Sequence, residues 1–278
     1  PPALPARALT GSLAQRLRDA DDFEVIVFPA GAYAIDEPLV YPEGKTGVSL
    51  VADGGEVTLT PSAASGDALS INGDGFRLVG VGINGTTSHR SGVAIRGRGT
   101  IVQNCRFDGF SRDGLGYGVL LIGARDSVLS DIQSTGCRHA YATAADSGVN
   151  GAIFQRWTIS DTTDDGFDTH RGSRNVHHWD HTVTNPGNHG GMIQDSEFSV
   201  RNLTVINPVK YDLVIQPLGG ECVGSVSGLT GSSAELGLFV EFKHDQEWPH
   251  VNTANLNLFQ NYAPGPRAIV FNDERAGQ

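Results

Sequence analysis

One short phrase returns along this chain at almost even spacing. A small residue followed by a strand of alternating character begins at Gly92, Gly118, Ala140, Gly166, Gly190, Asp212 and Gly237, at intervals of 26, 22, 26, 24, 22 and 25 residues. Between these lies a second, Asn-rich phrase, seen at Asn104-Cys105-Arg106-Phe107, Asp131-Ile132, Trp157-Thr158-Ile159-Ser160, Thr182-Val183-Thr184-Asn185, Asn202-Leu203-Thr204-Val205 and Asn255-Leu256-Asn257-Leu258. A period of about 20–30 residues marks a solenoid, in which each coil buries its apolar side only against its neighbours. Asn-rich corners and the lack of a helix in the repeat select an all-β, single-stranded right-handed parallel β-helix over leucine-rich or helical repeats.

The remaining features fit that frame. Gly occurs 36 times and Met once, which suits many short strands and tight turns and argues against a helix bundle. Only one stretch reads as helical: between Ala8 and Asp21, Leu9, Leu13 and Leu17 fall on one face. This segment predicts an N-terminal cap over 1–24, with the β-helix over 25–278. Val25 to Phe28 reads as a strand that ends in a Pro29/Gly31 turn. Cys105, Cys137 and Cys222 are too few and too far apart for a disulfide framework or a zinc knuckle, and read as buried thiols. A net charge of −11 disfavours nucleic acid and anionic membrane surfaces as partners. No apolar run approaches the about 20 residues of a membrane helix. The first residues, Pro1 to Pro5, show neither the charge nor the apolar run of a signal peptide, so they say nothing about export.

The repeat allows neighbouring coils to be stacked from the sequence alone. With Gly166 as origin, strand alternation sends Phe167 and Thr169 inward and Asp168 and His170 outward. The outward neighbours on following coils are Met192 and Gln194, Val214 and Gln216, then Phe239 and Glu241. The position before the origin forms a column of Tyr117, His139, Asp165, His189 and Tyr211, and the one before that holds Arg138, Asp164, Asn188 and Lys210. At about 4.8 Å per coil these side chains form one patch of acids, imidazoles, phenols and cations. Six of the nine histidines, at 139, 170, 177, 178, 181 and 189, lie in this central stretch. Candidate catalytic residues are therefore Asp164, Asp165, Asp168, His170 and His189. Candidate substrate-binding residues are Tyr117, Arg138, His139, Arg171, Gln194, Lys210, Tyr211, Gln216 and Glu241.

The cap helix, the Phe28-Pro29-Ala30-Gly31-Ala32-Tyr33 phrase and the Gly-rich coils resemble the pectate-lyase-like β-helix superfamily, which includes phage tailspikes. Within it, Gly166-Phe167-Asp168-Thr169-His170 is similar to the Gly-Phe-Asp-Pro-His block of mannuronan C5-epimerases. That resemblance implies His170 as an acid/base and Asp168 as its orienting or substrate-binding partner. Three positions depart from it: Asp165 stands where a Tyr is expected, Thr169 where a Pro is, and Arg171 where an acid is. Tyr117, Tyr141 or Tyr211 are the phenols available in place of that Tyr. A second resemblance is to polygalacturonase-type hydrolases, whose Asp-Asp, Gly-His-Gly and Lys order is echoed by Asp164-Asp165, Asn188-His189-Gly190 and Lys210. There the extra Asp expected one coil earlier is His139, so Asp168 would supply the third carboxylate.

Other motifs carry less. His177-His178-Trp179-Asp180-His181 invites a metal reading, but strand alternation splits it between faces, so the segment reads first as structural. Asp164, Asp165 and Asp168 could take Ca2+ through oxygen atoms; otherwise no cofactor is expected. Gly44-Lys45-Thr46 is a turn rather than a phosphate loop, because the Gly needed five positions earlier is Leu39. The expected function is an enzyme that works on a poly- or oligosaccharide in a groove beside the central coils, with Tyr117, Tyr141, Trp157, Trp179 and Tyr211 as sugar platforms. Uronate lyase or epimerase chemistry places the base at His170 or His189, with Arg138, Arg171 or Lys210 against the sugar carboxylate. Hydrolysis or glycosyl transfer by the Asp carboxylates is the alternative, and a glycan-binding tailspike or adhesin domain the second alternative. A homotrimer is an expected arrangement for such solenoids, and an extracellular, cell-surface or virion setting suits them.

Overall fold

The computed structural model describes residues 7–8, 12–62, 66–195, 197–216, 221–232, 236–242, 253–259 and 269–273. Nearly all of it is strand, wound as a right-handed parallel β-helix. The helix is shorter than its leucine spacing predicts, running Leu13–Asp19. Ser12 caps it by accepting from the Gln15 amide at 3.1 Å, and Ala14 and Leu17 face the core. Leu9 lies outside the described residues. The predicted turn at Pro29 and Gly31 is instead part of one strand, Val25–Ile35, whose register against Ser49–Pro61 shifts between those two residues. A bulge absorbs the Pro without ending the strand.

Each central coil turns three corners, and each corner is a single residue in the left-handed region. One corner column holds Gly99, Asp126, Gly151 and Asn175; the next holds Asn104, Asp131, Arg156, Asp180 and Asn202; the third holds Gly109, Gly136, Asp161, Asn185 and Asn207. Gly, Asn and Asp adopt this conformation at little cost, which is why the Asn-rich phrase recurs where it does. The corners also bond along the stack. Asn202 donates to Asp180 at 2.7 Å, Asn185 to Asp161 at 3.0 Å, and Arg156 grips Asp131 through two bonds of 2.6 and 2.8 Å.

Long strands such as Arg125–Thr135, Asn150–Ser160 and Arg174–Thr184 run round the second corner and so cover two faces of the coil. The third face is a separate parallel sheet of ten strands among the described residues, and it carries every candidate site residue that lies on a strand. The small residue that opens each repeat is explained here. A Cβ on Gly92 would stand 2.7 Å from the Gly118 carbonyl oxygen, and one on Gly118 would stand 2.5 Å from that of Ala140. At these coils the neighbouring backbone approaches too closely for a larger side chain, whereas Ala140 and Asp212 are accommodated at the same column on other coils.

Inward residues build one apolar core through the length of the solenoid. Cys105, Cys137 and Cys222 are free and buried in it. His178 and His181 also point inward. His178 sits in the column Leu129, Phe154, His178, Val200, and His181 precedes Leu203 on the next coil. One phenol holds both: Tyr141 Oη lies 2.9 Å from His178 Nδ1 and 2.9 Å from His181 Nε2, while His178 Nε2 is buried without a partner. Among the described residues, no helix is long and apolar enough to cross a membrane.

Candidate active site

The coil stacking expected from the repeat matches the observed register. Tyr117 pairs with His139 and Asp168 with Met192, which pairs in turn with Val214 and that with Phe239. Backbone bonds from Asp164 to Arg138, Asn188 to Asp164 and Lys210 to Asn188 string the cation-bearing column together at 2.9–3.2 Å. The column before the origin is an aromatic ladder with a carboxylate in its middle. Tyr117 stacks on His139 at 5.8 Å and His189 on Tyr211 at 5.0 Å, with Asp165 between the two pairs.

His170 is the best-defined acid/base group. Its Nδ1 lies 2.6 Å from the Thr143 carbonyl oxygen, which can only accept, so Nδ1 carries the proton. The backbone amide of His170 donates to Thr143 Oγ1 at 2.7 Å, fixing the ring's base as well. Nε2 is left facing Asp168 Oδ2 at 3.3 Å, with the side chain 28% exposed to solvent. Burial lowers its pKa below the ordinary imidazole value. Asp168 is buried, and burial, with Arg138 opposing and Asp164 and Asp195 adding, pushes it up to about 7.

The other acids differ in access. Arg138 Nη2 donates to Asp164 Oδ2 at 2.7 Å, and both side chains reach solvent. Asp165 is buried; its Oδ1 accepts from the His189 amide at 3.0 Å, and burial followed by the Asp168 and Asp164 charges pushes it up to about 8. His139 is fully buried, donates from Nδ1 to the Asp165 carbonyl at 3.1 Å, and is held down to about 4 by burial and by Arg138. His189 is buried too and takes the Tyr211 amide on Nδ1 at 3.4 Å.

Gln194 donates to Gln216 at 2.8 Å on the coils beyond His170. Arg171 turns away to Asp146 at 3.0 Å, and Lys210 is exposed at the far end of its column. Glu241 is placed on the strand Leu236–Phe242, but its side chain lies outside the described residues.

Several expected roles do not survive the geometry. Tyr141 and Trp157 are sealed in the core, so neither can stack on a sugar, and Tyr141 cannot stand in for the missing Tyr at the site. Trp179 sits on the opposite sheet, between His177 at 5.1 Å and Arg201 at 4.8 Å. Of the six central histidines only His139, His170 and His189 belong to the site sheet's columns. Two residues at the site are not evident from the sequence. Thr143 sets the His170 tautomer, and Asp195, fully buried, accepts from Thr169 at 2.8 Å directly beneath the Asp168/His170 strand and stands 3.8 Å from His178. Burial pushes Asp195 up to about 7. An alternating pattern at 139–143 marks Thr143 as a coil residue; Asp195 lies past a strand end, where the repeat carries no signal.

The three groups whose ligand atoms all lie within 4.8 Å of one another are His139, Asp164 and Asp165, and Asp168 is not among them.

No protein-family model matches the chain, and no curated protein matches it by sequence. Solved structures do match in fold. An alginate lyase from Paenibacillus sp. str. FPU-7 superposes with a TM-score of 0.76 at 12% identity, covering 96% of this chain and 98% of that one. A rhamnogalacturonan lyase gives 0.64 at 12%, covering 93% and 84%, and an iota-carrageenase complexed to iota-carrageenan fragments gives 0.62 at 8%, covering 93% and 85%. The right-handed parallel β-helix is therefore the fold of this chain.

Proposed function

We propose that this protein is a carbohydrate-active enzyme that removes the proton α to the carboxylate of a uronate residue in a glycan, as a lyase or a C5-epimerase. The observation that carries this reading is the His170 imidazole: its tautomer is set by the Thr143 carbonyl, and its Nε2 lies 3.3 Å from Asp168 Oδ2 on a side chain that is part-exposed to solvent. A neutral imidazole so held takes the C5 proton. Asp168 then balances the imidazolium that forms, and Arg138, which has guanidinium donors beyond its bond to Asp164, faces the sugar carboxylate as negative charge builds on it. The C4–O bond then breaks as the His170 imidazolium returns its proton to the leaving oxygen, giving an unsaturated uronate; delivery of a solvent-derived proton to the opposite face of C5 instead gives the epimer. The solved structures of similar fold include proteins described as lyases, which agrees with this chemistry.

The test is a panel of polyuronates in heavy water, read for ultraviolet absorbance of the unsaturated product and for deuterium at C5. Either signal, lost in His170→Ala, supports the reading; neither signal on any uronate sinks it. A second reading, hydrolysis, is favoured by one observation: Asp168 is held up to about 7, the range of a general acid. New reducing ends without absorbance or exchange would select it.

A further inference from the structure

His139 has an unsatisfied ring nitrogen. Its Nδ1 must be the protonated nitrogen, because it donates to the Asp165 backbone carbonyl. In the neutral ring Nε2 is then a bare lone pair. It is fully buried, has no hydrogen-bond partner, and faces Asp164 Oδ2 and Asp168 Oδ2, each at 3.9 Å. Asp168 Oδ1 is likewise buried without a partner. A charged hydrogen bond from an imidazolium would draw these atoms to about 2.7–2.9 Å. His139, Asp164 and Asp165 each offer a ligand atom, and these atoms all lie within 4.8 Å of one another, room enough for an ion between them.

We propose that His139 Nε2, with the Asp164 and Asp165 carboxylates, binds a divalent transition metal of the zinc type. An imidazole whose second nitrogen donates to a backbone carbonyl is the arrangement that orients metal-bound histidines, and Arg138 does the same for Asp164. A mixed nitrogen and oxygen donor set selects zinc-like ions over calcium. Three protein ligands leave a coordination position on the side where Asp164 reaches solvent, which is where a sugar carboxylate or hydroxyl would approach. The ion's part in turnover rests on the uronate reading above; its binding does not.

The test is calorimetric titration of metal-free full-length protein with Zn2+ and, separately, Ca2+, together with the visible spectrum of a Co2+-loaded sample. One Zn2+ per chain is expected, with a Co2+ spectrum typical of nitrogen and oxygen ligands. His139→Ala and Asp164→Asn should each weaken Zn2+ about 100-fold or more, and His177→Ala, on another face, should leave it unchanged. Asp164 is part-exposed, so its variant reads the site even where loss of buried His139 disturbs folding. Absence of saturable Zn2+ binding, binding unchanged in both site variants, or a preference for Ca2+ overturns the proposal. Zn2+ binding as expected, in a protein that neither eliminates nor exchanges protons on uronates, upholds the metal site and sinks the reaction.

Discussion

At His170 two contacts decide the chemistry, and each can be removed separately. His170→Ala deletes the base and should lower kcat on a uronate about 100-fold or more, the usual weight of a positioned acid/base group, while the melting temperature stays near that of the parent. Because burial lowers the His170 pKa, the imidazole stays neutral further into acid than a free one. The rising limb of kcat/KM that reports it should therefore fall below the ordinary value of about 6.5; a limb above that value would show that a different group is the base. The columns that assemble this site are legible in the sequence, because strand alternation and a constant coil length together fix which residues neighbour Asp168. The inward histidines are not. His178 and His181 are three apart and would face opposite ways on a regular strand, yet the left-handed residue Asp180 between them resets the alternation and turns both into the core.

Elements here are defined by their corners more than by their strands. Asn202 holds a φ of 54° and its side chain bonds Asp180 at 2.7 Å, so it contributes both conformation and a rung of the stack. Asn202→Ala should cost about 1.5–3 kcal/mol, the strain of a left-handed Ala plus the lost rung, whereas Asn202→Gly should lose only the exposed rung, about 0.5–1 kcal/mol. Denaturant unfolding of the two variants separates the terms; equal losses would mean that strain at the corner is negligible. The repeat is readable in the sequence because close backbone approach selects Gly at the same column on four coils, at Gly92, Gly118, Gly166 and Gly190. The first coil misleads for the opposite reason. Pro29 and Gly31 carry the usual signs of a turn, and only the neighbouring strand Ser49–Pro61 shows that they form a bulge within a continuing one.

Across the whole molecule, six buried titratable groups set opposing pH dependences. In the fold Asp168 and Asp195 keep their protons up to about 7 and Asp165 up to about 8, mainly through burial. In the unfolded chain such groups ionise near about 3.9. Between those limits the folded chain holds more protons, so these three acids make stability fall as pH rises. His139, held down to about 4, and His178 and His181, held down to about 3, act the other way. They stay neutral in the fold while the unfolded chain protonates below about 6.5, so stability falls as pH drops through that window. From about pH 4 to 6.5 the three carboxyl groups oppose the imidazoles, to which His170 and His177, also lowered by burial, add, so the slopes largely offset. Above that range the carboxyl groups act alone, each at up to about 1.4 kcal/mol per pH unit until its own pKa is passed. Metal-free protein should thus be most stable on the acid side of neutrality and lose stability between about pH 6.5 and 8, with a second decline below about 4 where His178 and His181 dominate. Asp195→Asn, whose side-chain oxygen can still accept from Thr169, should flatten the first decline without abolishing it, because Asp165 and Asp168 remain. Thermal unfolding across a pH series checks both, and a melting temperature that climbs steadily from about pH 6 to 8 would mean that the three carboxyl groups are ionised and compensated in the folded interior.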